Sequence, residues 1–389
     1  MADITIEGST HDTLNTKQQP RSLVWTSPSV GYIFFVENTF DLHYRKTTNS
    51  GASWGSAVTI RQGTVQKFSV WYDKWTKGDT GAIIHIIFTD TDDDDMTYNS
   101  LDTSDDTLGG EVIAFAGSST TSSNWGDGCL SIVKARGGNI LAGGWIDSSG
   151  ENDLVRATDS PATSFTSRAT VADGSSVDRI QFLAGNETDS NDIWCMYQDA
   201  SANTLTLKVY DDSGDSWSES GSIDTIAENS SFFGFDSMDR HSDGHAIVIM
   251  WNAHLSATGD LAVWDITDIN TQTAKADVIT NDSAYGVVGI LINQQNDNIY
   301  AAYTTASTSG SIKYKLSSDG AGTWGSATDM SVTSDDHRMI NGGTSVQGEG
   351  GRWMPVWFND DLNDLVTNAD NSVEIKALTH DAAMFGCNF

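Results

Sequence analysis

The chain has 389 residues, is 38% hydrophobic, contains 36 Gly against 4 Pro, and sets 53 Asp and Glu against 21 Lys and Arg for a formal net charge of −32. Such an acidic surface repels phosphate backbones and anionic lipid headgroups, which argues against nucleic acid as a partner and against membrane insertion. Cys129, Cys195 and Cys387 are too few, and odd in number, for a disulfide scaffold, and no CxxC spacing suggests a structural zinc site.

The N-terminal stretch "MADITIEGST" has neither the basic nor the apolar region of a signal peptide. The expected location is therefore a virion or other extracellular setting reached without a signal peptide, or otherwise the cytoplasm. Most of the acids are Asp, and with few Lys they keep a surface hydrated in salt, so a halophilic or marine origin is expected.

Apolar runs then recur along the chain. They are "GYIFFVEN" from Gly31, "GAIIHIIF" from Gly81, "GNILAGGW" from Gly138, "NDIWCMYQ" from Asn191, "GHAIVIMW" from Gly244, "DNIYAAYT" from Asp297 and "RWMPVWF" from Arg352. Their starts are 50, 57, 53, 53, 53 and 55 residues apart. Gly-Gly, Asp-Gly and Asn-Asp pairs ahead of several runs tolerate positive φ and predict a hairpin from a preceding strand. A third, alternating strand follows each run: "DLHYRKT", "MTYNSL", "DLVRAT", "LTLKVYD", "DLAVWD", "SIKYKLS" and "SVEIKAL". Six units continue into a fourth, such as "SAVTI" and "EVIAF".

Four antiparallel strands repeated seven times predict an all-β fold, a seven-bladed β-propeller occupying residues 1–389 as one domain. The seventh unit lacks a fourth strand, while "ADITIEGST" resembles "SAVTIRQGT". Residues 1–10 are therefore expected to complete the last blade, with Ile4 to Glu7 as its outer strand, and residues 380–389 to form a C-terminal tail.

Three turns between third and fourth strands share a pattern: "TTNSGASWGSA" from Thr47, "YDDSGDSWSES" from Tyr210 and "SSDGAGTWGSA" from Ser317. Thr47, Asn49, Gly51, Ser53 and Trp54 fit S/T-x-D/N-x-G-x-S/T-W fully. Asp212, Gly214, Ser216 and Trp217 fit with Tyr210 replacing the first Ser; Ser317, Asp319, Thr323 and Trp324 fit with glycine displaced to Gly320 and Gly322. The pattern resembles the Asp-box, or BNR, repeat of sialidase-like propellers. An Asx side chain that accepts turn N–H groups and a glycine at positive φ make it a folding device. The resemblance implies that the boxes lie on the face opposite the ligand.

Function is thus expected on the far face, in the loops joining strands two and three and in the connections between blades. Among the former, Asp90, Asp92, Asp93, Asp94 and Asp95 cluster carboxylates that could hold Ca²⁺, although the EF-hand glycine and terminal Glu are missing. Among the latter, Trp125, Phe232, Tyr285, His337 and Arg338 offer flat rings and polar groups for a sugar. A sialidase needs a carboxylate clamp of arginines, a Tyr–Glu nucleophile and an Asp acid/base. The alternative catalytic reading assigns Arg21, Arg179, Arg338, Glu228 and Tyr285 to that set, but "QPRSL" replaces the usual F/Y-R-I-P and the blade number departs from that of sialidases. The expectation is a non-catalytic binding or structural module, a tail or capsid appendage recognising host glycans or other virion or host surface proteins, with self-association in an assembly left open. The alternative is a sialidase-like glycoside hydrolase.

Overall fold

The computed structural model describes residues 3–10, 21–90, 92–116, 130–145, 151–173, 179–186, 191–199, 202–225, 234–252, 259–282, 287–305 and 310–377. It is a seven-bladed β-propeller of antiparallel blades. Blade 1 runs from the axis outward as Leu23–Trp25, Gly31–Val36, Leu42–Thr47 and Val58–Arg61. In blades 2 to 6 the inner strands are Phe68–Tyr72, Leu130–Lys134, Arg179–Leu183, Phe235–Asp239 and Val288–Asn293.

The residues that form each layer follow from where the layer packs. Gly31–Val36 and Ala246–Trp251 are buried along their whole length, because a second strand is covered by a neighbouring blade on each face. Such β-branched and aromatic runs suit a strand hidden on both sides. Outer strands such as Val58–Arg61 bury only one residue in four. Each fully buried Leu, Ile or Phe side chain contributes about 1.5–3 kcal/mol. The predicted hairpin turns are present: Gly244 stands at φ 81° and Asp297 at φ 60°, both in the left-handed region that such turns need.

The ring closes through the N-terminus. Ile4–Gly8 pairs with Asp364–Thr367, so blade 7 reads outward as His337–Asn341, Val356–Asn359, Asp364–Thr367 and Ile4–Gly8. Asp3 adds side-chain hydrogen bonds to the N–H groups of Val332 and Thr333 at 3.0 and 3.3 Å, and Thr10 donates to the Asn363 carbonyl at 2.9 Å. One expectation for this blade is corrected. "SVEIKAL" is not its third strand; "DLVT" is, and Val373–Ile375 instead pairs with Gly351–Trp353 in a separate ribbon. The physical reason is Pro355, which has no N–H and divides "RWMPVWF" between the ribbon and the blade.

Two of the three similar turns are built alike. Gly51 N–H donates to Thr47 Oγ1 at 3.0 Å and Ser53 N–H to Asn49 Oδ1 at 3.0 Å. In the same places Ala321 N–H donates to Ser317 Oγ at 2.9 Å and Thr323 N–H to Asp319 Oδ1 at 2.9 Å. Gly51 and Ala321 occupy equivalent positions, at φ 79° and 65°. The turn after Tyr210 departs from this plan. Thr204–Asp211 and Ser216–Thr225 stay paired as far as Asp211 and Ser216, which leaves a tight hairpin. There Asp211, not Asp212, accepts the Gly214 N–H at 2.8 Å, while Asp212 accepts from Arg156 at 2.9 Å. Two of the three tryptophans share a task, while the Trp54 indole N–H has no hydrogen-bond partner among the described residues. Trp217 and Trp324 donate from Nε1 to the Ala169 and Ala276 carbonyls, at 3.0 and 2.7 Å, and so tie each blade to the preceding one.

Candidate functional site

Antiparallel blades put the 1–2 and 3–4 turns on one face, including the similar turns after Thr47, Tyr210 and Ser317, and the 2–3 hairpins and blade connections on the other. Several residues expected on that second face, Trp125, Glu228, Phe232 and Tyr285, lie outside the described residues. The others take varied positions. His337 and Arg338 begin the inner strand of blade 7. His337 is buried, with Nε2 3.3 Å from the Thr333 carbonyl and its ring edge-on to Trp357 at 5.9 Å; burial lowers its pKa below the ordinary histidine value. Arg179 begins the inner strand of blade 4 and is also buried.

Arg21 does not present its guanidinium to this face. It is 2% exposed and reaches across the central channel. There it donates from Nη1 to the Phe182 carbonyl at 2.9 Å and from Nη2 to the Ser237 carbonyl at 3.1 Å, on the inner strands of blades 4 and 5. Desolvation lowers its pKa to about 10, against the pull of Asp236 and Asp239. Burial in turn pushes both carboxyl groups up to about 6, in spite of Arg21 and their hydrogen bonds. Asp236 accepts from Gln181 and from the Ile290 N–H, each at 2.9 Å, and Asp239 accepts from Ala184 N–H at 2.9 Å. The channel is therefore crossed by a cation held on backbone carbonyls and within the field of two buried acids.

The aspartate run is the tip of the second hairpin in blade 2, between Ile83–Asp90 and Asp95–Asp102. Asp90 is buried and already engaged, paired with Arg61 and accepting from Thr64 Oγ1 at 2.8 Å and from Asp92 N–H at 3.1 Å. Asp92 and Asp93 point into solvent, and Asp94 takes the turn position at φ 53°. Among the described residues, the carboxylates and imidazole whose donor atoms do converge, all within 4.8 Å of one another, are Glu37, Asp41 and His43, on the equivalent hairpin of blade 1.

Sequence reading also missed a buried chain on the 1–2 turn side of blade 2. His85 Nε2 lies 2.9 Å from Asp73 Oδ1, and His85 Nδ1 lies 2.8 Å from the Tyr98 hydroxyl. Lys134 of blade 3 donates to the same Asp73 oxygen at 2.6 Å and to Asp79 at 2.8 Å. Burial alone would raise the Asp73 pKa, but hydrogen bonds from His85 and Lys134 and the charge of His85 bring it down to about 2. His85 and Tyr98 are at most 1% exposed, so this chain locks blades together and is beyond the reach of a substrate. The signal was available: a histidine in the middle of "GAIIHIIF" needs a buried partner.

No family model matches the sequence, nor does any curated protein sequence. Solved structures share the architecture. One is ulvan lyase, described as a new family of polysaccharide lyase and bound to -[GlcA(1-4)Rha3S]-, with a TM-score of 0.58 at 8% identity over 94% of this chain and 95% of that one. AofleA from Arthrobotrys oligospora matches with a TM-score of 0.53 at 11% identity over 84% and 90%, and a protein from Lactobacillus plantarum with 0.52 at 11% over 82% and 86%. At these identities the similarity is one of fold.

Proposed function

We propose that this chain is a glycan-binding β-propeller of the Asp-box, sialidase-like type that works without catalysis. Its binding surface is the face of 2–3 hairpins and blade connections, with the loops of Trp125, Phe232 and Tyr285 as the sugar-stacking elements. The observation that carries the non-catalytic reading is the position of Arg21, whose terminal nitrogens both serve backbone carbonyls in the channel and are turned away from any substrate carboxylate. The Asp-box assignment is supported by the hydrogen bonds shared by the Thr47 and Ser317 turns. The glycan assignment is supported by the fold shared with a polysaccharide lyase that holds a saccharide. We place the protein on a virus particle, as an appendage that meets host-surface glycans.

A glycan array, read beside a turnover assay on a fluorogenic sialoside, tests the reading. The expected result is binding without turnover, weakened at least tenfold in the W125A/F232A/Y285A variant with its melting temperature unchanged. Turnover of the sialoside by the wild type overturns it in favour of a glycoside hydrolase. Mass spectrometry of purified particles tests the placement.

A further inference from the structure

We propose that Glu37, Asp41 and His43 form a zinc site at the junction where the ring closes. Two independent features lead to it. The first is convergence: His43 Nε2 lies 3.5 Å from Glu37 Oε2 and 3.8 Å from Asp41 Oδ2. The second is an unsatisfied imidazole. His43 is 7% exposed, yet neither ring nitrogen has a hydrogen-bond partner, and Nε2 is aimed between the two carboxylates. A buried polar group without a hydrogen bond costs about 1–3 kcal/mol, and an ion between the carboxylates relieves that cost at Nε2.

The surroundings prepare the donors. Phe35 stacks on the His43 ring, with centroids 5.8 Å apart and planes at 26°, which fixes its direction. Asp41 uses Oδ1 to accept the Gly63 N–H, which leaves Oδ2 for an ion. The Gly63 contact on Asp41 is the kind of outer hydrogen bond that orients ligands in metal sites, while the His43 ring is oriented by stacking alone.

Spacing excludes magnesium, and the donor types select the ion. Tetrahedral ligands on bonds of about 2.0–2.1 Å stand about 3.3–3.4 Å apart. Octahedral ligands at the bond lengths of magnesium stand about 3.0 Å apart. The observed 3.5 and 3.8 Å from His43 Nε2 exceed the magnesium spacing and match both tetrahedral zinc and octahedral calcium, whose ligands on bonds of about 2.3–2.6 Å stand about 3.3–3.7 Å apart. One imidazole with two carboxylates suits zinc better than calcium or magnesium, which take oxygen ligands. Three protein ligands leave a fourth position for water, and the partial exposure of Glu37 and Asp41 opens that position to solvent.

The location gives the ion a task. Asn38 N–H donates to the Ser9 carbonyl at 3.1 Å, and Thr10 forms a bridge with Glu37. Ser9 and Thr10 in turn bond the Asn363 carbonyl of blade 7. Zinc on Glu37 therefore stiffens the hairpin against which the closing strand ends.

The test is calorimetric titration of the full chain with zinc, in excess magnesium so that exposed carboxylates are occupied. One saturable site per chain is expected, with a higher melting temperature and slower amide exchange at residues 4–10. The same titration with Co²⁺ should give the visible bands of a tetrahedral nitrogen and oxygen site. Asp41→Asn keeps an acceptor for Gly63, and Glu37→Gln and His43→Gln keep shape. Each is expected to bind zinc at least a hundredfold more weakly while remaining folded by circular dichroism. Zinc binding that is missing in the wild type, displaced by magnesium, or unchanged in Asp41→Asn and Glu37→Gln overturns the proposal. Should His43→Gln fail to fold, those two variants decide it.

Discussion

The guanidinium carbon of Arg21 lies 4.7 Å above the ring of Trp71, at the centre of the propeller. That contact joins blade 1 to blade 2, and the hydrogen bonds of the same side chain join both to blades 4 and 5. Removing the cation leaves Asp236 and Asp239 buried without their counter-charge. Breaking a buried charge arrangement from one side costs about 3–5 kcal/mol. Arg21→Met should lose that much in urea unfolding at neutral pH. The loss should shrink at about pH 5, because the two acids, with folded pKa values of about 6, are then protonated.

The wild type should also respond to pH in both directions. For Asp236 and Asp239 the folded pKa is raised, so their favourable contribution is complete below the unfolded value and fades as pH rises through about 6. For Asp73 the folded pKa is depressed to about 2, so its contribution of about 2 kcal/mol is present above the unfolded value and fades as pH falls toward 2. A melting-temperature profile should therefore peak near the unfolded carboxylate value, at about pH 4, and fall on both sides. Asp73→Asn should flatten the acid limb alone.

Deleting residues 1–10 should lower the melting temperature sharply. It strips the ladder to Asp364–Thr367, the Asp3 hydrogen bonds and the ion pair of Glu7 with Arg45. It also exposes an unpaired edge, so aggregation should rise with protein concentration in light scattering. An unchanged melt would contradict closure through this strand.

Gly51→Ala should destabilise by about 2 kcal/mol or more, since it adds a positive-φ penalty to overlap with a packed side chain. A Cβ there would stand 2.5 Å from Met354 Sδ at φ 79°. At the equivalent position in blade 6, Ala321 already carries its Cβ at φ 65°. Ala321→Gly should therefore change stability far less than Gly51→Ala.

Cys195 is fully buried, and desolvation pushes its thiol up to about 12. Reaction with a thiol reagent should wait for unfolding of blade 4. The labelling rate should then track the stability of the Arg21 and Asp73 variants, and prompt labelling of this thiol in the native wild type would contradict its burial.

The blades were legible in the sequence because each is local. A second strand covered on both faces must read as a continuous apolar run, and its hairpin must carry a residue that accepts positive φ, as Gly244 and Asp297 do. Even the closing strand was legible, since "ITIEG" repeats the outer-strand pattern. The Pro355 break was also present in the sequence, but the regular period masked it. What only the tertiary structure decided are the relationships across the ring. Arg21 meets Phe182 and Ser237 at separations of 161 and 216 residues, and Lys134 meets Asp73 at 61. Glu37, Asp41 and His43 are neighbours in sequence, yet their convergence depends on Phe35 stacking and on Gly63 holding one Asp41 oxygen. A repeat determines each blade by its own hydrophobic period. The polar groups on the axis and at the closure are placed by how seven blades meet, and no local pattern carries that information.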